Sequence, residues 1–200
     1  MTKATNENRT DHVHYEDPLA VKKIFDSFIT VFPRKNFDVI ALCIGTDRST
    51  GDSLGPLTGT FLSKFKPNNI HVYGTLHHPV HAVNLIEYLE LIKEKHENPF
   101  IIAIDASLGK ISSIGHLITG VGPLQPGAAL NKQLPPVGDV YLTGVVNISG
   151  FMDYSILQST RLSVVHDMAY KLSLILYRID NWITRYKSNQ LVSDQDASNF

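Results

Sequence analysis

The segment from Val39 to Ile44 is a continuous apolar run of strand length, followed at once by Gly45-Thr46-Asp47-Arg48-Ser49-Thr50-Gly51-Asp52, a polar loop bracketed by glycines. A strand apolar at every position has to be covered on both faces, which is the situation of an interior strand in a parallel sheet. A loop that leaves the carboxyl end of such a strand and enters a helix is where open α/β sheets bind ligands. A second apolar strand, Ile101 to Ile104, runs into Asp105-Ala106-Ser107 and repeats the arrangement.

The intervening elements fit crossover units. A helix is expected to open at Asp17-Pro18 and stop at Pro33, and another to begin near Ser53 or Leu54 and end at Pro67-Asn68-Asn69. Ile70 to Tyr73 reads as a short strand, Thr75 to Pro79 as a histidine-rich turn, and His81 to Lys95 as a helix with Val83, Leu85, Ile86, Leu89 and Ile92 on its apolar side. Ser113 to Thr119 and Val140 to Asn147 are two further strands. Asp153 to Tyr186 is helical in spacing throughout, as one helix or two with a bend. Strand, helix, strand, helix, strand specifies right-handed crossovers about a mostly parallel sheet, a three-layer α/β/α fold. A single domain over residues 17–187 is expected, with a flexible arm at 1–16 and a flexible tail at 188–200. The glycine- and proline-rich connection Gly120 to Gly138 is long for an idle loop and is expected to cover the active face.

Composition narrows the function. The chain is 43% hydrophobic and 18% charged, with net charge -1, so no positive field draws it to nucleic acid or to an anionic membrane. Met1 to Tyr15 contains no apolar signal region, and Leu172 to Ile183 is interrupted by Arg178 and Asp180, so neither secretion nor membrane insertion is supported. Cys43, the single cysteine, lies inside an apolar strand and reads as a buried thiol in a reducing, cytoplasmic setting.

Each acid also fits a purely structural role. Asp52 stands where a helix N-cap would, and Asp105 could tie turn amides at a strand end. Together they gain meaning: if the strand order reverses between their two strands, both face one crevice. Two carboxylates at close range do not both ionise easily, so one holds a proton near neutral pH while the other serves as a base or metal ligand. The loop lacks Gly-Lys-Ser/Thr and the dinucleotide glycine pattern, which argues against nucleotide binding. Arg48 is a candidate contact to a substrate carbonyl or carboxylate, with an exposed loop arginine as the alternative. His77, His78 and His81 are weak candidates for metal ligands, His77 and His81 having helical spacing. Ser107 lacks the context of a nucleophile elbow, and His166 reads as a packed or capped helix residue.

Three stretches carry a family resemblance: Cys43 to Pro56, Ile101 to Ser107, and Leu124 to Lys132. In combination, over about Asp38 to His166, the chain resembles sporulation proteins related to the germination protease of endospore-forming bacteria, and more remotely the hydrogenase maturation peptidases. The resemblance implies a phosphorylase/hydrolase-like fold and an aspartate pair as the catalytic centre, roles that fall by motif on Asp52 and Asp105. Thr46, Arg48, Gly51, Ser107 and Lys132 are the expected substrate-binding residues. It implies a protein or peptide substrate, small acid-soluble spore proteins being the candidate, and a place within the forespore or spore core. In the maturation peptidases the corresponding acids bind nickel with a histidine, but no histidine here falls at the matching later position. No cofactor is therefore expected, a divalent metal being the alternative; a homo-oligomer is compatible with these features. The rival functions are a noncatalytic sporulation factor that binds a peptide or partner in the same cleft, and a metal-binding maturation-type peptidase.

Overall fold

The computed structural model describes residues 10–32, 37–127, 134–150 and 152–197. In chain order the elements are β1 (Thr10–His14), α1 (Ala20–Ile29), β2 (Asp38–Cys43), α2 (Leu54–Lys64), β3 (Ile70–Tyr73), α3 (Leu85–Lys95), β4 (Pro99–Gly109), β5 (His116–Val121), β6 (Val140–Ile148), α4 (Asp153–Gln158) and α5 (Leu162–Ala197). They build one six-stranded sheet in the order β1-β5-β6-β4-β2-β3. β3, β2, β4 and β6 are parallel, while β5 and β1 extend the sheet antiparallel.

The two-sided apolar run of β2 explains the layering. Because successive side chains point to opposite faces, Val39, Ala41 and Cys43 join Ile102 and Ile104 beneath α1, α2 and α5. Ile40, Leu42 and Ile44 join Ala103 on the other face, where Leu85 and Ile92 of α3 cover them. Cys43 is fully buried, and burial pushes its thiol far above the ordinary range, leaving it inert. The chain passes from β2 outward to β3 and returns on the far side of β2 to form β4, so the order reverses between β2 and β4. The carboxyl ends of these two strands flank the switch point.

Several boundaries differ from expectation, among them the strand read over Ser113 to Thr119, which is β5 at His116–Val121. The arm does not stay free over its whole length: Thr10 to His14 pair with Gly120 to His116 as an edge strand. The third helix begins at Leu85, not His81, because the Asn84 side chain accepts the His81 N–H at 2.8 Å and holds a turn there. β4 does not end at Asp105 but continues to Gly109 along β6, with a register shift at Ser107/Leu108. Of the two alternatives for the last helical region the structure has the divided one, α4 and α5, and only its end departs from expectation, α5 continuing to Ala197, past the expected tail boundary at 188. The helix stop assigned to Pro33 lies outside the described residues, where α1 has already ended at Ile29.

One buried carboxylate joins the outer strand to the longest helix. Asp180 of α5 is fully buried and accepts the backbone N–H groups of Asn68, Asn69 and Ile70 at 3.1, 2.6 and 3.2 Å. Removing it leaves three amides without their acceptor, and hydrogen bonds to a charged group are each stronger than neutral ones. Asp180→Ala is expected to cost about 3–4 kcal/mol, read from the shift in urea midpoint; a loss below about 1 kcal/mol contradicts this account.

Candidate active site

The loop after β2 is shaped by backbone contacts that leave no room for side chains. Gly45 sits at φ +145°, and a Cβ there would lie 1.9 Å from the Asp52 carbonyl oxygen. Only glycine fits that approach, and across it the Thr46 N–H donates to the Asp52 carbonyl at 3.1 Å. Gly45 N–H in turn donates to the Val80 carbonyl at 2.8 Å, and Ile44 N–H to the Ile104 carbonyl at 2.7 Å. The loop is thereby tied to both neighbouring segments, and Asp52 is delivered in a single 3₁₀ turn, Gly51–Ser53, before α2. Ser53 occupies the N-cap of α2 without a side-chain cap bond, so Asp52 does not serve as the helix cap.

Asp105, Ser107 and Thr143 share one sheet face, Asp105 and Thr143 being directly paired across β4 and β6. Beyond the start of α3 that face is left to a cavity of about 350 Å³, which Asp52, Asp105, Thr46, Ser107, His81 and Asp153 help to line. Leu124, Gln125, Gly127 and Leu134, from the long connection after β5, form its outer wall. These described residues of the connection therefore lie against the candidate site.

The electrostatics of the two acids differ. Burial is the main influence on Asp105 and pushes its carboxyl up to about 8; the Ala106 N–H, donating at 2.8 Å, opposes the shift, and the negative charge of Asp52 adds to it. Asp52 is also raised by burial, with the Ser49 hydroxyl opposing from nearby, although Ser49 Oγ makes no hydrogen bond of proper geometry. The cavity thus holds two acids that sense each other, with Asp105 the one whose proton persists at neutral pH. Ser107 Oγ is buried without a hydrogen-bond partner, an unspent polar atom next to Asp105.

Not every expected residue reaches this cavity. Thr46 and Ser107 do. Arg48 is exposed, its N–H donating to Thr46 Oγ1 at 3.3 Å, and it is not part of the wall. Gly51 is buried for packing, since a Cβ there would lie 2.6 Å from Leu157 Cδ2 of α4. Lys132 lies outside the described residues. His77 and His78 are exposed and do not line the cavity, whereas His81 does, with Nδ1 accepting the Val83 N–H at 3.3 Å. These three histidines do not form a ligand cluster: among the described residues only Asp38, His71 and His96 bring three donor atoms within coordinating reach of one another. Asp52, Asp105 and His81 are not among the described sets of three donors within such reach of one another.

Asp153 is the wall residue that sequence patterning marked only as a helix start. It accepts the Gly150 N–H at 2.7 Å. The signal was available, because β6 is the fourth parallel strand and its carboxyl end opens on the same rim as the other three.

With this fold and crevice in view, the class is that of a three-layer α/β/α protein with two carboxylates at the switch point of its sheet. The structure of the NiFe hydrogenase maturation protease HycI from Thermococcus kodakarensis KOD1 matches with a TM-score of 0.52 over 80% of this chain and 99% of that one, at 15% identity, a likeness of fold. Residues 12–175 match the family described as Protein of unknown function (DUF1256), and the chain belongs to that family. It is 46% identical over 172 residues to the Uncharacterized protein YyaC of Bacillus subtilis (strain 168), covering 85% of this chain and 83% of that one. No described helix is long and apolar enough to cross a membrane.

Proposed function

We propose that this protein is an endopeptidase-like hydrolase whose aspartate pair cleaves a peptide bond with water. The observation that carries the reading is the convergence of Asp52 and Asp105 on one cavity at the switch point, with the Asp105 carboxyl raised to about 8. In this mechanism ionised Asp52 takes a proton from water as the oxygen attacks the scissile carbonyl carbon. Protonated Asp105 donates a hydrogen bond to the carbonyl oxygen, and collapse of the tetrahedral intermediate breaks the C–N bond as an acid proton passes to the leaving amine. Thr46 and Ser107 are placed to hold the substrate backbone, and Leu124 and Leu134 to exclude bulk water. No step requires a metal.

The substrate class follows from the resemblance to germination protease relatives: small acid-soluble spore proteins, acted on within the forespore or spore core. The test is incubation of purified protein with such proteins across pH 4 to 10, read as fragment formation. Activity is expected to rise as Asp52 ionises and to fall as pH climbs through about 8, where Asp105 loses the proton it must donate. Binding without fragments at any pH would overturn the hydrolase reading in favour of a peptide-binding cleft. Activity that stays flat from pH 7 to 10 would remove Asp105 as the acid.

A further inference from the structure

At the opposite end of the sheet, three polar residues from three different elements meet. Asp38 is the first residue of β2, His71 lies in β3 paired with Ile40, and His96 caps the carboxyl end of α3. The length of β2, about 20 Å at the usual strand rise, separates them from the acid cavity. One carboxylate oxygen of Asp38 and one ring nitrogen of each histidine all lie within 4.8 Å of one another. We propose that Asp38, His71 and His96 form a divalent-cation site of zinc type, distinct from the acid cavity.

The buried member of the group is held in a fixed orientation. His96 is 7% exposed, its Nε2 lies 3.0 Å from the Tyr73 hydroxyl and its Nδ1 lies 3.0 Å from Asp38 Oδ2. A partner on the far ring nitrogen is what orients metal-binding imidazoles. The near nitrogen faces a carboxylate, so a positive centre, either a proton or a metal, has to lie between them. A proton satisfies that pair alone and gives His71 nothing to do. Yet His71 lies beside His96, ring centroids 4.5 Å apart and planes tilted by 51°, and its ring nitrogen is a third donor within 4.8 Å of the other two. Only a cation with several coordination positions uses all three.

The dimensions suit a small ion. With metal–nitrogen and metal–oxygen bonds of about 2.0–2.2 Å, ligand atoms of a tetrahedral site sit about 3.3 Å apart. The His96–Asp38 pair is already near that spacing, and His71 and Asp38 are the exposed members, free to complete the approach by side-chain rotation. Two imidazoles and one carboxylate with a fourth position open to water is a donor set suited to zinc, and no thiolate that would favour a softer ion belongs to the group. Bound there, the ion would tie the outer strand and the end of α3 to the start of β2.

The experiment is titration of tag-free, chelator-treated full-length protein with Co²⁺, followed by visible absorption, then displacement with Zn²⁺. The expected result is one ion per chain, with the intense absorption of a low-coordinate site that Zn²⁺ abolishes. Saturating Zn²⁺ should raise Tm by about 5–10 °C at a hundredfold excess over Kd. His71→Ala and Asp38→Asn change exposed side chains, should leave the metal-free Tm and circular dichroism close to those of the native protein, and should each weaken binding at least about tenfold. Asp52→Asn should leave binding unaltered. No stoichiometric binding at micromolar Co²⁺, binding indifferent to His71→Ala, or binding lost in Asp52→Asn would each overturn the site.

Discussion

Asp105→Asn should abolish most hydrolysis of a susceptible peptide, lowering kcat about 10³-fold, while making the protein more resistant to heat above pH 8. The two halves of this expectation have one cause. At neutral pH the Asp105 carboxyl retains its proton because burial and the charge of Asp52 raise it to about 8. An amide has the shape of that protonated acid and can still donate a hydrogen bond to the carbonyl, but it cannot pass a proton to the departing amine. Binding should therefore change little and kcat greatly, a split in KM against kcat that a merely disordered pocket would not give. The stability half follows by linkage. In the unfolded chain this aspartate titrates near the ordinary value of about 3.9, so between that pH and about 8 the folded state holds a proton that the unfolded state has released. Its contribution to stability is complete below the unfolded pKa and is lost as pH rises through the folded one. Asparagine mimics the protonated form at every pH, so Tm of the variant minus Tm of the native protein should grow from pH 4 to 8 and then level. A variant equally active, or one whose Tm difference shrinks over that window, would sink the assignment of the proton to Asp105.

What could be read from the residues was governed by how strongly burial constrains them. β2 and the first half of β4 are apolar at successive positions because both sheet faces are covered, and few environments besides the interior of a parallel sheet demand that pattern; the reversal of strand order, on which the meeting of Asp52 with Asp105 depends, was a condition that the strand order of the fold meets. β1 had no such signature. Thr10-Asp11-His12-Val13-His14 is a polar edge strand, partly exposed along its length, and its place is set by pairing with β5 rather than by local composition. The start of α3 was misplaced by one turn because a single side chain, Asn84, captures the backbone ahead of it. Arg48 and Gly51 lie within the loop that its glycines and acids single out, yet loop membership does not fix direction: one turns to solvent and the other makes room for Leu157. The triad of Asp38, His71 and His96 is dispersed along the chain and becomes visible only when three elements are brought to one edge.

Gly55→Ala is expected to destabilise the fold by at least about 3 kcal/mol, against what helix propensity alone would give. Gly55 is in the first turn of α2 with no left-handed torsion, and in an unconstrained helix alanine is better than glycine by about 1 kcal/mol. Here the added methyl would lie 2.0 Å from the Ile44 carbonyl oxygen and 2.8 Å from both the Ile44 carbonyl carbon and nitrogen, all backbone atoms. Neither side can yield cheaply. Ile44 is fixed by its bond to the Ile104 carbonyl and its bridge to Val80, and α2 is fixed by the fully buried Leu54 and Leu62 and by Gly59, whose own Cβ would meet the Gly74 carbonyl at 1.9 Å. The helix rests on the strand ends through these two glycines, one turn apart, and must lift off to admit a methyl. Lifting it carries the Gly51–Ser53 turn with it and moves the Asp52 carboxylate relative to Asp105, where a displacement of about 1 Å can cost about 10²-fold in rate. The measurement is urea unfolding of Gly55→Ala beside Gly150→Ala, whose added carbon finds its nearest neighbour, Ile156 Cδ1, at an ordinary 3.6 Å. The control should stay within about 0.5 kcal/mol of the native protein. A Gly55→Ala protein as stable as that control would mean that α2 does not sit directly on the end of β2, and that the seating of this helix is not what delivers Asp52 to the cavity.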